Sequence, residues 1–124
     1  VLAIDVEAKL VVDMATTSIY PAAMSYLTEL TSTIASATSA GISLDSSVAA
    51  SIASDADAMM RSVSELTGAI EVDDFASVED HMKYCADTLC GLMGDVRKYA
   101  DSLEGKVADT AWPLPKYAEM LFIK

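Results

Sequence analysis

His81 is the single histidine of the chain, and Cys85 follows it four residues later. On a helix that spacing puts both side chains on one face, which is half of what a metal site requires. A zinc site needs three or four ligands, and no second pair stands at a suitable spacing. The plainer reading is a partly exposed helix histidine beside a buried cysteine. A cysteine or histidine nucleophile also needs a base and a third, orienting group. One helix carrying both residues supplies neither a pocket nor an oxyanion hole.

The carboxylates are many but poorly arranged for chemistry. Asp55 and Asp57 are two apart on a helix and diverge, Asp73 and Asp74 are adjacent in a connection, and Glu79 and Asp80 open a helix. None matches the spaced ligands of a calcium hand, so a solvated acidic face is expected. No GxGxxG or GxxxxGK[ST] is present, and Gly91-Leu-Met-Gly94 lies within a helical pattern that does not cradle phosphate. Arg61, Lys83, Arg97 and Lys98 are scattered among acids, and the methionines read as core fillers. The expectation is a chain with no catalytic residue, no cofactor-binding residue and no metal ligand of its own.

The elements that hold these residues are bounded by composition. A chain of 124 residues suits one domain. Its net charge of −11 comes from 8 basic and 19 acidic residues, which argues against a duplex-binding module and an anionic membrane surface. A disordered acidic tail is excluded by the 52% of hydrophobic residues. Cys85 and Cys90 are too far apart along one helix to bridge, so a reduced, cytoplasmic setting is expected. No apolar run reaches membrane-spanning length and no secretory signal is visible. The helical pattern is already running by Ile4 with no initiator Met and no cap, so the chain reads as a piece of a longer protein.

Periodicity predicts an all-α fold, an antiparallel bundle of three long helices with a docked apolar C-terminal tail. Helix 1 spans 1–40 along Ile4, Ala8, Val11, Ala15, Ile19, Ala22, Tyr26 and Leu30. It is kinked or split at Pro21 and ended by Gly41 as a left-handed cap. Helix 2 spans 44–70, capped by Asp45 or Ser43. Its core face is Val48, Ile52, Ala56, Met59, Val63, Leu66 and Ile70, opposite a polar face of Ser47, Ser51, Ser54, Asp55 and Ser62. Helix 3 spans 76–108 and starts near Ser77, with Val78, Met82, Cys85, Leu89, Leu92, Val96, Tyr99 and Leu103 inward. Gly91 and Gly94 are read there as marks of close helix contact. Twenty Ala and fourteen Ser favour close packing and leave no room for a large internal ligand. The segment 112–124 is strongly apolar, and Pro113 and Pro115 give it an extended entry.

Two stretches carry a family likeness. Trp112-Pro-Leu-Pro-x-Tyr117-x-Glu119-Met120-Leu121-Phe122 resembles the closing segment of type III glutamine synthetases. Asp13-Met14-Ala15, followed by Ile19-x-Pro21-Ala22-Ala23-x-x-Tyr26, is similar to the start of that family's C-terminal helical region. The middle, about residues 40–100, matches only in helical character. The resemblance implies a parent enzyme that joins ammonia to glutamate with ATP and a divalent metal, magnesium or manganese, in a large homo-oligomer of hexameric rings. It places the catalytic barrel, metal carboxylates and nucleotide pocket upstream, so no catalytic residue carries over and the piece alone is expected to be inactive. The expected partners are the catalytic domain of the same chain and neighbouring subunits, with no nucleic acid and no membrane. Pro21, Tyr26, Trp112, Pro113, Leu114, Tyr117, Leu121 and Phe122 are the structural or interface candidates. The alternative is a stand-alone helical-bundle sensor or binding domain of a signalling protein. A metal-carboxylate enzyme bundle is disfavoured, because no Glu-x-x-His pair is present.

Overall fold

A computed structural model of the chain describes residues 3–72 and 74–107. These residues form three long helices and, among the described residues, no strand. The first comprises α1 (Ala3–Met14), a wide π-turn (Ala15–Ile19) and α2 (Tyr20–Ser39). The second is α3 (Ser47–Ile70). The third comprises α4 (Val78–Tyr84), a second π-turn (Cys85–Leu89) and α5 (Cys90–Glu104). The 112–124 tail lies outside the described residues, and with it Trp112, Pro113, Leu114, Tyr117, Leu121 and Phe122. No helix among the described residues is long and apolar enough to cross a membrane.

Pro21 does not break helix 1. Its ring would press on the Thr17 carbonyl and its nitrogen has no hydrogen to donate. The π-turn just before it widens the helix, with the Tyr20 N–H bonding to the Ala15 carbonyl. The Thr16 hydroxyl donates to the Val12 carbonyl at 2.8 Å, and the Thr17 hydroxyl donates to the Asp13 carbonyl. Backbone acceptors next to the irregular turn therefore find side-chain donors. α2 closes in a Schellman motif: Ile42 N–H donates to Ala37 O at 2.8 Å and Gly41 N–H to Thr38 O at 3.1 Å, with Gly41 at φ +82°.

Before α3, Asp45 accepts from the backbone N–H of Ser47 at 2.9 Å and from its hydroxyl at 2.6 Å. The buried face of α3 is Ala49, Ile52, Ala56, Met59, Val63, Leu66 and Ala69. Two expectations are corrected here. Val48 is 54% exposed, because the three-and-four stepping that buries Ile52 and Ala56 passes through Ala49. Ser62 is only 8% exposed, because it sits three residues after Met59 and four before Leu66, inside the apolar stripe.

Ser77 caps the third helix, its hydroxyl accepting from Asp80 N–H at 3.1 Å. Glu79 and Asp80 sit in the first turn, where the helix dipole favours them. The inward face runs Cys85, Leu89, Met93, Val96, Leu103. Val78, at 71% exposure, and Met82, at 54%, are not in it. The π-turn inserts an extra residue and offsets the register on its two sides, so the stripe extrapolated backwards from α5 misses them. His81 and Tyr84 are the half-buried residues of α4 instead. Gly91 and Gly94 are also corrected: beyond the helix's own backbone, no atom of the described residues lies within 4 Å of a Cβ built on either, so neither marks a close approach.

The core lies between the three helices, with α3 against α5 as its most extensive contact. Ile52, Met59, Leu66, Leu89 and Leu103 are fully buried. Each such side chain contributes about 1.5–3 kcal/mol relative to exposure.

Candidate functional site

The chemistry-bearing residues collect where the start of helix 1 meets the start of helix 3. Asp5 lies in the first turn of α1, His81 on α4, and Cys85 opens the second π-turn. His81 Nε2 is 3.3 Å from Asp5 Oδ2. Cys85 Sγ donates to Asp5 Oδ1 at 3.5 Å. One ligand-type atom from each of the three falls within 4.8 Å of the others. Phe75 stacks on the His81 imidazole, with ring centroids 4.6 Å apart and an interplanar angle of 13°. Its other neighbour is Tyr84 at 5.1 Å, whose hydroxyl donates to the Ala69 carbonyl at 2.9 Å.

This is not the arrangement of a thiol nucleophile. A Cys–His–Asp triad places the imidazole between thiol and carboxylate, as the base that takes the thiol proton. Here the carboxylate stands between the other two. Burial first, and the Asp5 carboxylate second, push the Cys85 thiol above its ordinary value. A buried, protonated thiol attacks nothing. Cys90 is exposed, and the two cysteines are free thiols.

A second polar cluster closes the opposite end of the bundle. Lys106 Nζ donates to Ser51 Oγ at 2.6 Å and to Asp55 Oδ2, and Ser102 Oγ donates to Asp55 Oδ2 at 2.6 Å. Burial works against the Asp55 charge, but the hydrogen bonds from Lys106 and Ser102 outweigh it and hold the carboxyl below its usual value. Asp55 was expected on a solvated face. It is instead a paired group between helices, which local periodicity does not reveal because its partners are 47 and 51 residues away.

Of the interface candidates within the described residues, Pro21 is exposed and Tyr26 is half-buried against the core. They are not part of either polar cluster. Sequence reasoning found the His81–Cys85 pair but missed Asp5 and Phe75. Asp5 lies 80 residues from Cys85, and no local spacing signals that contact.

Comparison with known proteins gives one informative likeness. The chain is 39% identical over 54 residues to a type-3 glutamine synthetase of Dictyostelium discoideum. The matched stretch is 44% of this chain but only 7% of that relative. No protein-family model matches the chain, and no solved structure matches it.

Proposed function

We propose that this bundle is a non-catalytic structural or assembly domain of a glutamine synthetase of the type-3 kind. The observation that carries the reading is the 39% identity over 54 residues to the Dictyostelium enzyme. One feature of the fold supports it. Val6, Leu10 and Met14 stand at about half exposure in a row on α1, a surface that suits burial against more protein.

On this reading the parent condenses ammonia with glutamate, using ATP and magnesium or manganese held elsewhere in its chain. The bundle contacts that catalytic part and neighbouring subunits of a cytoplasmic homo-oligomer. The test uses the Dictyostelium relative with its matching segment deleted. This chain, added in trans, should co-elute with the truncated enzyme on size exclusion, while showing no ligase activity alone. Absence of association, together with full assembly of the truncated enzyme, would favour a stand-alone binding bundle.

A further inference from the structure

We infer that Asp5, His81 and Cys85 form a binding site for a zinc ion, a function separate from the assembly role and not expected from the sequence. The three donors are a carboxylate oxygen, an imidazole nitrogen and a sulfur, the set that zinc accepts. Zinc binds such donors at about 2.0–2.3 Å in a tetrahedron, which places neighbouring donors about 3.3–3.8 Å apart. His81 Nε2 lies 3.3 Å from Asp5 Oδ2 and Cys85 Sγ lies 3.5 Å from Asp5 Oδ1, so the two partners approach different oxygens of one carboxylate, each at a separation of that size. The whole set spans no more than 4.8 Å, so an ion seats with small side-chain rotations.

The fold prepares the site in three ways. The π-turn at Cys85–Leu89 brings His81, rather than Val78 or Met82, to the half-buried side of α4. Phe75 stacked on the imidazole fixes the plane of its ring, the role that an outer shell plays around a metal ligand. α1 delivers Asp5 from the far end of the sequence, so the ligands come from two helices and binding fastens them together.

Binding forms a Cys85 Sγ–zinc bond and releases the thiol proton, now donated to Asp5, to solvent. His81 contributes the Nε2 lone pair and keeps its proton on Nδ1. The side chains of Asp5 and His81 are 18% and 32% exposed, so the fourth position faces solvent and takes a water. Three protein ligands and one water is an open coordination set.

Cobalt(II), as a spectroscopic substitute for zinc, tests this on the full chain in the absence of chelating reductants. One equivalent should produce a thiolate-to-cobalt charge-transfer band and the visible bands of a tetrahedral ion, both removed by added zinc. Cys85→Ser should abolish the charge-transfer band, and Cys90→Ser should leave it unchanged. Asp5→Asn and His81→Gln are partly exposed, near-isosteric changes that keep the fold testable by circular dichroism. Each should weaken binding by about tenfold or more, the scale set by losing even a supporting group. No band at equivalent cobalt, a band lost in Cys90→Ser, or unchanged affinity in Asp5→Asn and His81→Gln would overturn the assignment.

Discussion

Asp55 shows how a single residue can be misjudged by pattern and corrected by its partners. Its carboxylate joins α3 to the end of α5 through Lys106 and Ser102. Lys106→Met leaves that half-buried charge without its cation and should cost about 1–2 kcal/mol, read from the urea midpoint. The pH dependence has a definite sign. The folded Asp55 pKa lies below the ordinary 3.8, so its contribution is complete above about pH 4 and lost as pH falls through the lower folded value. Asp55→Asn should therefore flatten the stability profile below pH 4 relative to wild type. Identical acid slopes would show that the pair contributes nothing. The two thiols should also part company. Cys90 is exposed and Cys85 is buried with a raised pKa, so peptide mapping after brief alkylation should find label on Cys90 first. Much of this scale was hidden from the sequence. His81 and Cys85 announce themselves by spacing, whereas Asp5 and Lys106 meet their partners only through tertiary structure.

At the scale of elements, most helix ends and most of the inward stripes are readable from residue types. Gly41 closes α2 in the left-handed region, and Ser77 opens α4 through Asp80. Both follow from local chemistry that one sequence displays. What periodicity cannot show is a change of period. The two π-turns begin at buried small residues, Ala15 and Cys85, and end at buried Ile19 and Leu89. The first has a visible cause in Pro21 and its threonines. The second has none in the sequence, and its offset is why Val78 and Met82 face outward. Glycine gives a direct check on the corrected picture. Gly91→Ala and Gly94→Ala should each stabilise the protein by about 0.5–1 kcal/mol, since both are exposed in a helix with open space at Cβ. Gly41→Ala should destabilise by about 1–2 kcal/mol, because φ is +82° there. Thermal unfolding of the three variants reads both signs at once, and destabilisation by Gly91→Ala and Gly94→Ala would restore the close-contact reading.

At the scale of the whole molecule, the hydrophobic excess of the sequence has two destinations. One is the core between α3, α5 and helix 1. The other is surface: Val6, Leu10 and Met14 on α1, and Val78 and Met82 on α4, remain exposed. Scattered exposed apolar residues are ordinary, but a row along one helix favours association. Trp112→Ala probes the expected anchor of the tail, and should lower either the melting temperature of the chain or the assembly of a parent that carries it. If neither changed, the anchoring role would be discarded. The proposed role of the bundle in assembling a type-3 glutamine synthetase is open to one decisive mass measurement. The Dictyostelium relative would have its matching segment replaced by this chain, and its particle mass would be determined by sedimentation beside the deletion variant. The deletion should yield smaller particles, and the replacement should restore the full oligomer. A deletion variant that assembles fully, or a replacement that stays at the mass of the deletion variant, would contradict that role.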